Sequence, residues 1–169
     1  MRLVQIFSLT LCVALCGCAG YRLGPTGGQA AGVKSVQIRP FVNNSPEPGL
    51  ADEVTSELRK AVQRDGTFKL ATRGDSDLIV TGVITDYRRR ELTLLRDDLR
   101  TVRDYQITIV AHVTIRERTS NQVLLDRTVD GSALLRVGVD FGSSERQATP
   151  QLAEDLARRV NDLLADGTW

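Results

Sequence analysis

The sequence predicts an α+β fold, a two-layer sandwich in which a mostly antiparallel sheet of about four strands carries two amphipathic helices on one face. Two patterns predict it. Several segments between residues 33 and 135 have a period of two in hydrophobicity, which is typical of strands. Two longer segments repeat apolar residues at helical spacing, and each helix must bury its apolar side against a neighbouring layer. Residues 33–169 are therefore expected to form a single domain.

The first strand and the first helix are predicted from residues 33–64. Val36 and Ile38 alternate with polar residues, and Pro40 ends the strand. The helix is expected from 48 to 64, because apolar residues recur at helical spacing there and Gly66 is placed to end it. These apolar residues are Leu50, Val54, Leu58, Ala61 and Val62.

The middle of the chain predicts two more strands. The first is short, at 68–71, and the second runs from 78 to 87. The longer one carries apolar residues on both faces, with Leu78, Val80 and Ile84 on one face and Ile79, Val83 and Tyr87 on the other. A strand with two apolar faces is expected at the centre of a sheet or covered on both sides.

The clearest strand lies at 105–115, and a second strand at 122–135 follows a turn at 118–121. A short connection of this kind predicts an antiparallel hairpin. In the first of these strands, Tyr105, Ile107, Ile109, Ala111, Val113 and Ile115 alternate with Gln106, Thr108, His112, Thr114 and Arg116, and in the second the apolar set is Val123, Leu125, Val129 and Ala133.

The last segment predicts the second helix. Thr149 is a candidate N-cap, and Pro150 would then occupy the first helical position. The apolar residues that follow repeat the spacing seen in the first helix; they are Leu152, Leu156, Val160, Leu163 and Leu164.

The N-terminus predicts export and lipid attachment. Residues 1–17 have a basic start and a short apolar run, the layout of a secretory signal peptide. The segment ends in Leu15-Cys16-Gly17-Cys18, which resembles the lipobox of bacterial lipoproteins. Cleavage before Cys18 would remove Cys12 and Cys16, and a diacylglycerol and an N-acyl chain on Cys18 would anchor the protein stably. Residues 18–32, rich in glycine, are expected to form a flexible tether.

Composition excludes several classes of function. The formal net charge is +1 and aromatic residues make up 5% of the chain, so neither bulk attraction to nucleic acid nor base stacking is indicated. His112 is the one histidine, which rules out a zinc site built from several imidazoles. We expect it to be a surface residue. No nucleophile-base pair is apparent, so we predict no catalytic residue, no metal site and no enzymatic activity.

Several local strings resemble the LptE family of outer-membrane lipoproteins. They are Gly20-Tyr21-Arg22-Leu23 after Cys18, the run from Val36 to Phe41 leading to Asn43, Glu47-Pro48-Gly49-Leu50 at a helix start, the run from Asp77 to Gly82, and the strand pair around Tyr105 and Val123. Ala19 departs from the pattern, because the family usually has glycine directly after the lipidated cysteine.

The resemblance implies a partner role. LptE-like proteins form a plug inside LptD, a large outer-membrane β-barrel, and assist lipopolysaccharide assembly at the outer leaflet of Gram-negative bacteria. A plug needs polar surface toward a wet lumen. The polar sheet face would supply it through Gln106, Thr108, His112, Thr114 and Arg116, with Asp126, Thr128 and Asp130 beside them. By resemblance to the lipoprotein sorting rule of Gram-negative enterobacteria, Ala19 rather than an acidic residue after Cys18 points to the outer membrane, where the protein would be lipid-anchored on the periplasmic side. The alternative is a periplasm-facing envelope lipoprotein of the same fold with a different partner.

A cluster of arginines is the one charged feature with a plausible ligand. Arg88, Arg89 and Arg90 are followed by Arg96 and Arg100 in the connection expected between the third and fourth strands, with Arg103 close behind. Guanidinium groups bind phosphate in a bidentate manner, and lipid A carries phosphates. Contact with lipopolysaccharide is therefore one hypothesis for this cluster. The other is local pairing with the interleaved acidic residues, which would leave the arginines solvated.

Overall fold

The computed structural model describes residues 33–92, 104–136 and 140–167. The predicted signal peptide, Cys18 and the tether lie outside these residues, as do Arg96, Arg100 and Arg103. The described elements are β1 (Ser35–Ile38), β2 (Val42–Asn43), α1 (Leu50–Asp65), β3 (Lys69–Leu70), β4 (Leu78–Leu92), β5 (Asp104–Glu117), β6 (Val123–Arg136) and α2 (Phe141–Asp166).

The strands form one mixed sheet in the order β3-β1-β4-β5-β6, and β2 pairs with β4 beyond β1. The long strands β4, β5 and β6 are antiparallel neighbours, as the hairpin pattern predicts. The short strands β1, β2 and β3 pair in parallel, so the sheet has more strands than the four expected and is partly parallel. β1 and β3 lie in segments that were predicted as strands, whereas β2, with two residues, has no readable periodicity and was not predicted, nor was the parallel pairing.

Both helices pack on one face of this sheet, which confirms the predicted two-layer α+β fold. The inward side chains of β5 are fully buried, including Ile107, Ile109 and Ile115. They join one core with Leu58 of α1 and Leu156 of α2. We call this side of the sheet the helix-covered face.

Glycine allows a close approach within the sheet. Gly82 of β4 lies under the ring of Phe41, and a Cβ at this position would come 2.1 Å from a ring carbon. Phe41 is buried, and its backbone N–H donates to the Thr55 hydroxyl of α1 at 3.0 Å. Because Gly82 has no side chain, the ring of Phe41 fits against β4. The backbone of Phe41, which directly precedes β2, is thereby held within hydrogen-bonding distance of α1.

The first helix matches its prediction closely. It begins at Leu50, after Gly49 with φ of 80°, and ends at Asp65. Gly66 follows in the left-handed conformation, with φ of 74°, and its backbone N–H donates to the carbonyl of Val62. The glycine at 66 thus ends the helix for the physical reason expected, because a residue with a side chain resists this conformation.

A β-bulge in β4 changes the face on which Tyr87 lies. The pairing with β5 shifts between Ile84 and Asp86, and Ile84 and Tyr87 are opposite Ala111 and Ile109, both of which are buried. The prediction that Tyr87 and Ile84 lie on different faces of the sheet was therefore wrong. One extra residue in a strand reverses the alternation of every residue that follows.

The second helix begins nine residues earlier than Pro150 would indicate. Asp140 is its N-cap, and the carboxylate accepts hydrogen bonds from the backbone N–H groups of Gly142 and Ser143. The N-cap prediction at Thr149 was wrong. Pro150 lies inside the helix, and the Thr149 hydroxyl donates to the carbonyl of Glu145 one turn earlier. Burial of one side of the helix outweighs the proline penalty.

The beginning of β4 is tied to β1 by Asp77. Its carboxylate accepts hydrogen bonds from the backbone N–H of Ser35 at 2.7 Å and from the Ser35 hydroxyl at 2.8 Å. These bonds, the backbone N–H first, hold the pKa of the Asp77 carboxyl below its usual value of 3.8. Hydrogen bonding to a charged form favours that form.

A pH dependence of stability follows for Asp77. A carboxyl pKa lowered by folding contributes stability at neutral pH, and this contribution is lost as the pH falls below 3.8 through the folded-state value. We expect Asp77→Asn to reduce the free energy of unfolding at pH 7 and the difference from wild type to shrink at pH 3. Urea denaturation of both proteins at the two pH values measures this; a difference that stays constant with pH would contradict it.

Neither described helix is both long and apolar enough to cross a membrane.

Candidate functional site: the open face of the sheet

The three long strands present a second face, directed away from both helices, which we call the open face. On β5 its side chains include all five residues expected to form the polar face: Gln106, Thr108, His112, Thr114 and Arg116. Asp126 and Thr128 of β6 are opposite Thr114 and His112. The predicted alternation of β5 is confirmed, since its apolar partners are buried.

Hydrogen bonds link neighbouring strands across the open face. His112 Nε2 lies 2.5 Å from Asp126 Oδ1, and the hydroxyl of Thr114 donates to the same oxygen at 3.3 Å. About half of each of the His112 and Asp126 side chains is exposed. The expectation of a surface histidine is confirmed, and His112 belongs to a polar surface that can bind other molecules.

The arginine triplet is divided between the two faces of the sheet. Arg88 and Arg90 are opposite Thr108 and Gln106, so they extend the open face along β4. Arg89 is opposite Ile107 and therefore lies on the helix-covered face. The triplet was expected in a connection between strands, which was wrong because β4 continues to Leu92. Because successive side chains of a strand point to opposite faces of the sheet, the three arginines of the triplet do not share one face.

Arg89 belongs to a cluster of four residues, which we call the Arg89 cluster. Its guanidinium lies 2.7 Å from Glu145 of α2 and 3.4 Å from Glu47 in the segment before α1. The Tyr87 hydroxyl donates to the same Glu145 oxygen, and the Arg89 guanidinium stacks 5.1 Å from the centre of the Tyr87 ring. One cation thus joins β4 to α2 and to the start of α1.

Burial and charge alter the pKa values in this cluster. Burial, followed by the hydrogen bond to Glu145, raises the pKa of Tyr87 to about 12, so the phenol keeps its proton and acts as the donor. Burial and the nearby Glu145 raise the pKa of the Glu47 carboxyl, although Arg89 opposes them. The hydrogen bond with Tyr87 is the main cause of the raised pKa of Arg89.

Sequence reasoning found the open face and missed the Arg89 cluster. Period-two alternation assigned the β5 side chains correctly, because β5 runs without interruption from Asp104 to Ile115. Val123 was expected among the inward residues, but a second irregularity next to Arg116 leaves it 41% exposed. Arg89 and Glu145 are 56 residues apart, and no local pattern indicates that they meet.

The described residues contain no group of three or more His, Cys, Asp or Glu side chains that could hold a metal ion. The open face offers hydrogen bonding and ion pairing, and exposed apolar side chains such as Leu134 and Val123 lie on it as well. Such a surface is suited to binding another molecule.

Several solved structures share this fold. A minor lipoprotein from Acinetobacter baumannii matches with a TM-score of 0.52 and 14% identity, covering 78% of this chain and 92% of that one. Protein XCC0632 from Xanthomonas campestris matches with a TM-score of 0.57 and 11% identity, covering 86% and 91%. The hypothetical protein CT253 from Chlamydia trachomatis gives 0.55 and 12%, covering 80% and 96%. At these identities the similarity establishes the fold alone.

Comparison of the sequence identifies the family. A search of curated proteins gives no match. The family model described as LptE, lipopolysaccharide-assembly, matches residues 33–164, which is well over half of the chain and contains every element described above except the last two residues of α2. The chain therefore belongs to the LptE family of lipopolysaccharide-assembly lipoproteins, which are not enzymes.

Proposed function

We propose that this chain is an outer-membrane lipoprotein that forms a plug-and-barrel complex with an LptD-type β-barrel and assists lipopolysaccharide assembly at the outer leaflet. In this proposal Cys18 carries diacylglycerol and N-acyl lipid, including palmitate, which anchors the protein on the periplasmic side. The open face contacts the barrel through Gln106, Thr108, His112, Thr114 and Arg116. Family membership supports the lipopolysaccharide-assembly role.

The observation that carries the proposal is the polar character of the open face. Both helices pack on the other side of the sheet, and three neighbouring strands present hydroxyl, amide, imidazole and charged groups on this side. The interior of a large outer-membrane barrel is polar and wet, so a plug needs a surface that exchanges hydrogen bonds with the lumen wall. A polar sheet with a rigid core behind it meets this need.

Affinity capture tests the complex. Tagged full-length protein is isolated from detergent-solubilised outer membranes, and the proteins that co-purify are identified by mass spectrometry. We expect a stoichiometric β-barrel of LptD type. Cys18→Ser is the control for the anchor, because it should shift the protein from the membrane to the soluble fraction. Capture of the wild-type protein alone, or with unrelated envelope components, would contradict the proposal.

Arg88 and Arg90 are proposed to contact lipopolysaccharide from the open face, with Arg96 and Arg100 from the connection that follows β4. The side chain of Arg88 is 69% exposed and forms an ion pair with Asp86 of the same strand. Exposed pairs of this kind contribute about 0 to 1 kcal/mol, so Arg88 can exchange its partner for a phosphate at little cost. Arg89 is held on the opposite face by two carboxylates.

Charge reversal tests this contact. We expect the double variant Arg88→Glu/Arg90→Glu to weaken binding to lipopolysaccharide aggregates about tenfold or more at low salt, because two phosphate-binding cations become anions. Binding is measured by sedimentation with aggregates. The matched control is Arg158→Glu on α2, which changes an exposed arginine far from the open face. Equal losses in both variants would show a general charge effect and no site.

A further inference from the structure

Pro150 divides helix α2 into two parts. We call residues 141–149 the α2 arm and residues 151–166 the α2 body. Because proline has no backbone N–H, the carbonyl of Arg146 loses the hydrogen bond that another residue at 150 would donate. In the same turn the hydroxyl of Thr149 donates to the carbonyl of Glu145 at 3.0 Å. The arm and the body are therefore joined more weakly than two parts of a continuous helix.

The α2 arm has little tendency to be helical by itself. Gly142, Ser143, Ser144 and Thr149 are poor helix formers, whereas the body is rich in leucine and alanine. The arm is also much shorter than the roughly 12 to 15 residues that an isolated helix needs to be even marginally stable in water. It is therefore helical because it is held against the sheet.

Little apolar surface holds the arm in place. Among the arm residues whose side chains the structure describes, Glu145 and Ala148 are the buried ones, whereas successive turns of the body bury leucine, alanine and valine. A cleft of about 180 Å³, with Leu135 and Gln147 in its lining, separates part of the arm from the end of β6. A segment with few buried apolar contacts opens at a lower cost than the core.

Glu145 attaches the arm to β4 through polar contacts. Its carboxylate accepts hydrogen bonds from the Tyr87 hydroxyl and, at 2.8 Å, from Nε of Arg89. The Arg89 guanidinium also lies 3.4 Å from Glu47, so the attachment reaches the segment before α1. Hydrogen bonds to a charged group contribute more to stability than the burial of one methyl group, so Glu145 holds the arm more strongly than Ala148 does.

We propose that the α2 arm is a lid that is latched by Glu145, hinged at Pro150, and able to detach from the sheet while the rest of the fold stays closed. Detachment breaks the contacts of Glu145 with Tyr87 and Arg89. It also uncovers apolar surface around Leu135, which is buried in the closed state and lines the cleft beneath the arm. The detached arm loses its helical hydrogen bonds, because its composition and length do not support them.

The α2 body provides a matched control for the latch. Asp155 accepts a hydrogen bond from the backbone N–H of Ser132 on β6 at 2.9 Å. Its side chain is 15% exposed, close to the 12% of Glu145, so each carboxylate fastens α2 to the sheet from a similarly buried position. Asp155 lies after the proline, however, where the helix also buries an apolar face. Loss of Asp155 should not detach the arm.

Hydrogen–deuterium exchange of the full-length lipoprotein in detergent, measured by mass spectrometry, tests the lid. In the wild-type protein we expect the amides of residues 145–149 to exchange at least tenfold faster than those of residues 156–164. Glu145→Ala should accelerate exchange in the arm a further tenfold or more and leave residues 156–164 within twofold of wild type. Asp155→Ala should cause no acceleration that is selective for the arm.

Pro150→Ala keeps the test decisive if Glu145→Ala misfolds. Alanine restores the N–H that the carbonyl of Arg146 lacks, so the closed arm is favoured and its exchange should slow tenfold or more. Three results would overturn the lid: equal exchange of the arm and the body in the wild-type protein, equal acceleration of both by Glu145→Ala, or unchanged exchange of the arm in Pro150→Ala. Each would leave the proposed function in place, because the lid does not depend on a partner.

Discussion

Gly131→Ala is expected to lower the free energy of unfolding by about 3 kcal/mol, the upper end of the usual range for overpacking a core. Gly131 lies on β6 directly against α2. A Cβ at this position would lie 2.6 Å from Leu156 Cβ, 2.7 Å from its backbone N and 2.8 Å from its Cα. Two of these atoms belong to the helix backbone, so no rotamer change relieves the overlap and the whole helix must move.

Chemical denaturation can measure the expected loss in the free energy of unfolding of Gly131→Ala. Urea unfolding followed by circular dichroism gives the free energy for each variant. Gly142→Ala is the matched control, because it also replaces a glycine of the α2 region and the nearest atom to a new Cβ there is the flexible end of Arg146, at 3.6 Å. Alanine is the better helix former by about 0.8 to 1 kcal/mol, so this control should be neutral or stabilised. Equal destabilisation of the two variants would contradict the close contact.

Gly131 illustrates which parts of the fold a sequence reveals. The periodicity of residues 50–62 and 105–115 predicted α1 and β5 almost to the residue, because one uninterrupted face of each element is buried. The same reasoning could not detect that Gly131 contacts Leu156, since the two residues are brought together by the whole β6-α2 packing. Glycine in a strand indicates a close approach or a bulge without naming the neighbour.

The start of the second helix was predicted incorrectly. The predicted N-cap was Thr149, with Pro150 at the first helical position. The observed N-cap is Asp140, which was not predicted and whose carboxylate accepts hydrogen bonds from the backbone N–H groups of Gly142 and Ser143. The helix begins before the proline because Ala148 and Glu145, which precede it, are buried against the sheet. Tertiary burial decides such cases, and a single sequence does not show it.

The candidate site was predictable to the same extent as the strands that carry it. The β5 side chains of the open face follow from alternation alone. To predict that the arginine triplet is divided between the two faces, two features that have no signal in the sequence would have been needed. They are the continuation of β4 to Leu92 and the bulge near Thr85. Without the bulge, Arg89 would share a face with Thr81 and Val83.

Arg89→Ala is expected to lower the free energy of unfolding by about 2 kcal/mol. Glu145 is almost fully buried and accepts hydrogen bonds from Arg89 and Tyr87. Removal of the guanidinium takes away the cation that Glu145 and Glu47 share, while the Tyr87 hydroxyl remains as a donor to Glu145. An uncompensated buried charge costs several kcal/mol, and the 45% exposure of the Arg89 side chain reduces that figure through solvent screening.

The neighbouring arginine provides the comparison. Arg88→Ala removes a guanidinium from the same strand, but one that is exposed on the open face, so we expect a change within about 0.5 kcal/mol. The double variant Arg89→Ala/Glu145→Gln should recover part of the stability lost in Arg89→Ala, because it removes the charge left behind. Similar losses for Arg88→Ala and Arg89→Ala, or no recovery in the double variant, would be inconsistent with the Arg89 cluster.

Arg88 and Arg89 are expected to show the reverse order of importance when lipopolysaccharide binding is measured in place of stability. Arg89 is directed toward α2 and its guanidinium is paired with Glu145, so Arg89→Ala should leave lipopolysaccharide binding within twofold of wild type under conditions where it remains folded. Arg88 and Arg90 lie on the open face, and their charge reversal should weaken that binding while stability is largely retained. Adjacent residues of one strand thus serve different purposes, since successive side chains point to opposite faces of the sheet. One face holds the protein together, and the other is available to its partners.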